Sequence, residues 1–225
     1  MLEDYENALP LYKEAYQLAL EHKSIELQQV SGIMLIKYLC GAGYYSESLE
    51  YYNKIKPEIA FNPSMQNEVV KSYMELNKPD SARIYLAARL LSERGDKIVL
   101  NCMMAETYIP EGQEDSAFVF LDRAMKSYKE KAKNYQKQGR EAILPNCFLS
   151  PCYLFADLLW KKGKIQQASQ YYMIVEPLMK ERVKTPVRME LQIKALTNFS
   201  SFCRETKQYE KALDLLARRD SVLQT

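Results

Sequence analysis

Residues 152–175, CYLFADLLWKKGKIQQASQYYMIV, decide the fold of this chain. Apolar or small residues recur at positions i, i+3, i+4 and i+7 both before and after the Lys-Lys-Gly-Lys segment. That spacing places each set on one face of an α-helix, so the stretch predicts two amphipathic helices joined by a tight polar turn. Small residues on the two stripes, Ala156 and Ala168, allow the helix axes to approach closely. Because a single helical hairpin cannot bury both of its faces, it needs neighbours along the chain.

The same stripe occurs six times in the chain, each time on one helical face and each time opened by a small residue. In chain order the stripes are Ala8, Leu11, Tyr12, Ala15; Ser48, Tyr51, Tyr52, Ile55; Ala82, Tyr85, Leu86, Arg89; Ala117, Phe120, Leu121, Ala124; Ala168, Tyr171, Tyr172, Val175; and Ala212, Leu215, Leu216, Arg219. The opening residues of successive stripes are 40, 34, 35, 51 and 44 positions apart. A matching first-helix stripe precedes all but the first. The sequence therefore contains an internal helical repeat.

Proline, glycine and polar residues indicate where the helices begin and end. A capping side chain stands before a proline suited to a first helical turn at Asn62-Pro63, Ser150-Pro151 and Thr185-Pro186. Turns inside hairpins are indicated by Gly43, Asn77-Lys78-Pro79, Gly112 and Gly163. A polar run after Ala124 predicts a helix prolonged by several turns. Residues 138–149 then form a longer loop.

Composition supports an all-α protein. The 225 residues are 47% hydrophobic and 27% charged, which is ordinary for a globular protein, and only 7 glycines and 9 prolines interrupt the helical patterns. The net charge of +2 gives no general attraction to nucleic acid or to an anionic membrane. No apolar run approaches the roughly 20 residues of a membrane-spanning helix.

The stripes and their 34- and 35-residue spacings resemble the tetratricopeptide repeat. The resemblance is best at Leu154–Val175 and at Phe199–Leu216, although the tryptophan expected early in the first helix is absent and the closing proline is mostly missing. It implies a right-handed α-solenoid of antiparallel helical hairpins. We expect residues 1–225 to form one such domain, with five hairpins after a leading half-repeat, and to be a fragment of a longer chain.

In that family the first helices line a concave groove that binds peptides or other proteins. The resemblance carries this role to residues that project from the first helices off the core stripe: Lys37, Asn67, Lys71, Glu106, Tyr153, Asp157 and Trp160. Such a groove would run from cationic to anionic and would suit a partner with an acidic and a basic end. The alternatives are that these residues lie on solvated helix faces and that Trp160 packs between adjacent repeats.

The resemblance implies a protein-binding scaffold with a protein or peptide as partner. The alternative is a sensory or regulatory domain of a larger bacterial transcriptional regulator or sensor kinase. We expect a cytoplasmic location, or a periplasmic one if the chain belongs to a membrane-anchored sensor. A homo-oligomer is compatible with the sequence.

Catalysis finds little support in the residues. His22 is the only histidine, and the sequence has no P-loop, nucleophile elbow or dinucleotide-binding glycine pattern. The five cysteines are odd in number and form no CxxC pair, so they indicate reduced thiols in helices. We therefore expect no enzyme activity, no metal and no cofactor. The basic segment Lys126–Arg140 could contact phosphate, but it is more typical of a solvated helix or an oligomer contact, and no nucleic acid contact is expected.

Overall fold

The computed structural model describes residues 2–59, 65–92, 96–140, 143–180 and 186–224. These ranges form eleven α-helices and contain no β-strand, which confirms the all-α prediction. The helices are α1 (Leu2–Glu21), α2 (Ile25–Gly41), α3 (Tyr45–Ile59), α4 (Gln66–Glu75), α5 (Pro79–Leu91), α6 (Lys97–Tyr108), α7 (Glu114–Lys137), α8 (Leu149–Lys161), α9 (Ile165–Val175), α10 (Pro186–Glu205) and α11 (Tyr209–Leu223). Short 3-10 helices lie at Asn146–Phe148 and Glu176–Met179. Even-numbered helices are the first helices of hairpins, and α1 packs against α2 ahead of the first of them.

Each hairpin turn contains a residue with left-handed backbone geometry. The φ angle is +86° at Gly43, +68° at Gly112 and +75° at Gly163, where glycine carries no steric penalty. Asn77 takes this position between α4 and α5, with φ of 55°, and Lys207 takes it between α10 and α11, with φ of 61°. The predicted turns are confirmed. The α10–α11 turn had no glycine or asparagine to indicate it.

The start of α8 differs from the prediction. The helix begins at Leu149, directly after the 3-10 helix, so Ser150 and Pro151 lie inside its first turn. Ser150 is therefore not an N-cap, and that prediction is wrong. Pro151 is tolerated because an amide at this position would have no partner within the helix. The prolonged helix after Ala124 is confirmed, since α7 continues to Lys137.

Of the other two predicted caps, at Asn62-Pro63 and Thr185-Pro186, the structure describes only Pro186. Asn62, Pro63 and Thr185 lie outside the described residues, and Pro186 is the first residue of α10. A side-chain cap is instead found at Asp96, whose carboxylate accepts a hydrogen bond of 2.9 Å from the amide of Ile98 at the start of α6. This cap stabilises the first turn by about 1 kcal/mol.

The chain divides into two compact units, Met1–Gly95 and Asp96–Thr225. In the first unit α2 packs against α1, α3 and α4, and α5 packs against α4. The core of this unit is formed by side chains from these helices: Leu35, Ile36, Leu39, Tyr52, Ile55 and Val69. A Cβ atom at Gly32 would lie only 2.7 Å from Cδ1 of Ile55, so this glycine allows α2 and α3 to pack closely.

The first stripe was assigned to the wrong face of α1. Leu11 is 66% exposed and Ala15 is also exposed, whereas Tyr16 and Ala19 are buried. The buried face is thus shifted around the helix from the predicted one. The local pattern was ambiguous because apolar residues occupy both faces of this helix, and contact with α2 decides which is buried.

In the second unit α8 lies at the centre and packs against α6, α7, α9 and α10. Its core is rich in aromatic rings, and Tyr172 stacks on Phe199 with 4.6 Å between ring centroids. Apart from Ala8 on α1, which is only half-buried, the small residues predicted at helix crossings are buried in both units. Those with no exposed surface are Ala82, Ala117, Ala156 and Ala168. Ser48 is 1% exposed, and its hydroxyl donates a hydrogen bond of 3.2 Å to the carbonyl oxygen of Ile36.

Candidate functional site

The predicted binding residues of the first unit lie on α2 and α4. Lys37 is partly buried, while Asn67 and Lys71 are exposed. The ammonium nitrogen of Lys71 lies 5.9 Å from the centre of the Tyr45 ring, a distance that suits a cation–π contact. We call Lys37, Asn67 and Lys71 the basic patch.

The basic patch also contains a carboxyl group that the sequence did not single out. Glu68 precedes the core residue Val69 on α4, and burial raises the pKa of its side chain. The positive charges of Lys37 and Lys71 act on it in the opposite direction. The signal for this residue was its position three residues before Lys71, on the same side of the helix. When ionised, Glu68 therefore offsets part of the positive charge of the patch.

The predicted acidic residues lie in the second unit, on α6 and α8. Glu106 on α6 is partly buried and accepts a hydrogen bond from the hydroxyl of Ser150 at the start of α8. Burial raises the pKa of Glu106 to about 7, while the hydrogen bond from Ser150 lowers it. Ser150 thus has a role between adjacent first helices, where the sequence indicated only a helix cap.

Asp157 joins three helices of the second unit. Its carboxylate accepts one hydrogen bond from the hydroxyl of Tyr172 on α9 and another from the amide of Asn198 on α10. Burial raises the pKa of Asp157, and both hydrogen bonds lower it. Asn198 was missed by the sequence analysis because it stands 41 residues from Asp157. This carboxylate therefore belongs to the packing of the hairpins as well as to their surface.

Tyr153 and Trp160 lie on the same helix as Asp157. Tyr153 is only 4% exposed, and its pKa is raised to about 12, chiefly by burial and further by the negative charges of Asp157 and Glu106. Trp160 is partly buried, and its ring meets that of Phe202 on α10 edge to face, with 5.7 Å between centroids. This contact matches the packing alternative for Trp160.

Glu106 with Ser150, and Asp157 with Asn198, form two hydrogen-bonded polar pairs on α6, α8 and α10, which we together call the polar row. Its charged members are held by neutral donors, Ser150, Tyr172 and Asn198. When these carboxylates are ionised they attract cationic groups, and the fixed donors keep their geometry before any partner arrives.

Three of the five cysteines lie near the buried side of the polar row. Cys102 and Cys147 share a hydrogen bond, which together with burial raises the pKa of Cys102, and Cys152 is 1% exposed. All five cysteines are free thiols. Among the described ranges, no group of three or more His, Cys, Asp or Glu side chains could hold a metal ion.

Lysines of the basic segment of α7 contact carboxylates within the second unit. Lys126 pairs with Asp122 at 2.7 Å, and Lys131 lies 4.0 Å from a carboxylate oxygen of Asp96. Both lysines are exposed. Within the described part of the chain, no helix combines the length and the apolar character needed to cross a membrane.

Comparisons with known proteins agree with this architecture. Residues 149–173 match the tetratricopeptide repeat family. A crystal structure from Podosopora anserina, of a kinesin light chain-like protein with nearly identical TPR-like repeats, is 16% identical, with a TM-score of 0.53 over 87% of this chain and 95% of the other. Its Q17M variant gives a TM-score of 0.55 at 16% identity, over 87% and 94% of the two chains.

No curated protein matches the sequence of this chain. At 16% identity the two crystal structures establish the fold alone. The segment that matches the family is the helical hairpin with Ala156 and Ala168 at its crossing, and the same packing recurs in the other hairpins. The chain therefore has a tetratricopeptide-repeat-like fold, and its sequence is similar to that family at residues 149–173.

Proposed function

We propose that this chain is a non-enzymatic protein-interaction scaffold that binds an extended peptide or protein segment on its first-helix faces. Repeat folds of this kind generally serve as protein-interaction scaffolds and are typically non-catalytic. The observation that carries the proposal is the polar row, which places Glu106 and Asp157 on neighbouring first helices with fixed hydrogen-bond partners.

The charges in each unit define the chemistry of what that unit binds. In the second unit Glu106 and Asp157 suit basic groups of a partner, and in the first unit Lys37 and Lys71 suit acidic groups. Because the partners of these side chains are already in place, binding orders few protein groups, and more of the contact energy remains for affinity. The regulatory role within a larger protein stays a prediction from the sequence.

A peptide selection tests the proposal. Among peptides selected from a random library on the immobilised chain, those that use the basic patch should bind Lys71→Glu less tightly, and those that use the polar row should bind Glu106→Gln less tightly. The expected loss is about five-fold or more, as for loss of a surface charge contact. Glu106→Gln preserves the shape of the side chain and its capacity to accept from Ser150.

Matched controls distinguish these surfaces from general charge effects. Lys78→Glu changes an exposed lysine in the α4–α5 turn, and Glu130→Gln changes an exposed glutamate on α7. Neither should alter the affinity. Equal binding to all four variants would show that the selected peptides use another surface and would refute the assignment.

A further inference from the structure

A small cleft opens on the second-helix side of the second unit. It has a volume of about 280 Å³, and its lining comes from α7, α8 and α9. Phe155 and Leu159 of α8, both at most 2% exposed, form its floor. Phe118 of α7 and Tyr171 of α9 line its sides, and Tyr171 meets Phe155 edge to face with 4.9 Å between ring centroids. We call this site the second-helix cleft.

Phe118 is unusual for a ring next to a buried floor, because it remains 49% exposed. Gln167 and Gln170 of α9, both exposed, complete the lining of the cleft. A volume of this size is below the roughly 300–1,000 Å³ of sites for whole small molecules. It suits a single anchoring side chain of a partner.

The rim of the second-helix cleft is charged. Glu114, the first residue of α7, is bound by both Lys164 and Lys162, the latter at 3.1 Å, and these contacts lower its pKa. Lys162 also donates to the carbonyl oxygen of Gly112 at 3.2 Å. The two lysines thus neutralise Glu114 and are directed towards it.

Asp115, the next residue, also lines the cleft, but unlike Glu114 it is not paired with a lysine of the described ranges. It is exposed, and it makes no ion pair or side-chain hydrogen bond with any residue that the structure describes. A second carboxylate, Asp122, stands two turns further along α7 and acts electrostatically on Tyr171. A carboxylate without a partner therefore lies beside two aromatic rings and an apolar floor.

The side chains that most often anchor protein interfaces are tryptophan, tyrosine and arginine. Only arginine provides both a cation for Asp115 and a flat group that stacks on an aromatic ring. Lysine would offer a point charge without the stacking surface. We propose that the second-helix cleft binds an arginine side chain of a partner polypeptide, with its guanidinium group paired to Asp115 and its plane against Phe118 and Tyr171.

This site is independent of the first-helix surfaces, and the chain itself provides a matched comparison. In α11 the residue two positions before the crossing alanine is Glu210, as Asp115 is in α7, and the residue after that alanine is Leu213, as Phe118 is in α7. Glu210 and Leu213 are exposed but do not line the cleft. Substitutions there reproduce the loss of an acid or an apolar side chain at the same point of a second helix.

The test uses the complete chain and three blocked tripeptides, acetyl-Gly-Xaa-Gly-amide, in which Xaa is arginine, lysine or citrulline. Backbone amide resonances are followed by NMR during titration, with an expected Kd of about 1–10 mM for a single side chain. The arginine peptide should shift residues 114–118 and 167–171. Citrulline keeps the shape without the charge and should not bind, and lysine should bind about five-fold more weakly.

Asp115→Asn and Phe118→Ala should each weaken the arginine peptide by about five-fold, whereas Glu210→Gln and Leu213→Ala should leave its affinity unchanged. Circular dichroism confirms that each variant keeps its helices. Equal affinities for arginine and citrulline, equal effects of the α7 and α11 variants, or no localised shifts in this concentration range would each overturn the proposal. Lys71→Glu and Glu106→Gln should not affect this binding, so failure here leaves the first-helix proposal untouched.

Discussion

Glu106 shows how burial changes the chemistry of a single residue. Its pKa is about 7 in the folded chain and near the ordinary glutamate value of 4.5 in an unfolded one. Between these two values the folded state binds more protons than the unfolded state, so stability falls as the pH rises. The loss is complete above the folded pKa and absent below the unfolded one.

We therefore expect the free energy of unfolding of the second unit to decrease by about 2 kcal/mol between pH 5 and pH 8 through this group. Urea unfolding at the two pH values measures the change. Glu106→Gln, which cannot ionise, should remove this decrease. If the variant and the parent chain lose the same stability over this range, Glu106 is not the titrating group.

At the residue scale the sequence selected the acidic side chains but not their partners. Glu106 and Asp157 were found from their register on first helices. Ser150, Asn198 and Tyr172 reach them from other helices, and only the packing of α6, α8, α9 and α10 brings these side chains together. No local pattern records such a contact.

At the scale of the helix, the crossing of α8 and α9 is the clearest test of the repeat. Ala156 has no exposed surface, and α8 packs against helices on several sides, so a large side chain there has no space to enter. Ala156→Trp should lower the free energy of unfolding by about 3 kcal/mol through overpacking.

Thermal and urea unfolding measure this effect. Gln166→Trp provides the matched control, because Gln166 is exposed on α9 and a tryptophan there meets solvent. Its unfolding should stay close to that of the parent chain. An Ala156→Trp chain as stable as this control would refute the crossing assignment.

Helical elements and most of their ends were readable from the sequence because spacing and turn residues act locally. Gly43, Gly112 and Gly163 occupy backbone conformations that favour glycine, and all three were predicted as turns. The wrong predictions arose where the local sequence was equally compatible with two structures. Ser150 had the chemistry of a cap, and α1 had apolar residues on both faces, so contacts with other elements decided both cases.

At the scale of the whole molecule, the residues that the structure describes form two hydrophobic core clusters. One is formed entirely by residues of Met1–Gly95 and includes Leu35, and the other is formed entirely by residues of Asp96–Thr225 and includes Phe155. In repeat proteins stability arises mainly from contacts between neighbouring repeats. Each of these two clusters lies within a single unit.

A fragment of residues 96–225 should consequently fold by itself. We expect a cooperative thermal transition by circular dichroism and slow proteolysis within α6–α11, because all the residues that surround Phe155 are retained. As a control, the fragment with Ala156→Trp should lose the cooperative transition. A non-cooperative transition in the unsubstituted fragment would show that its core depends on residues 1–95.

The sequence by itself determined the helical class, the order of hairpins and the small residues at their crossings, because helical periodicity and close packing depend on residues a few positions apart. Only the tertiary structure decided the two cores, the buried face of α1, the partners of Glu106 and Asp157 and the second-helix cleft. All four features depend on side chains that are dozens of residues apart in the sequence. Their burial and their charge interactions form only when the helices pack. Local spacing therefore specifies what each helix is, and packing between helices specifies which of its side chains remain available to a ligand.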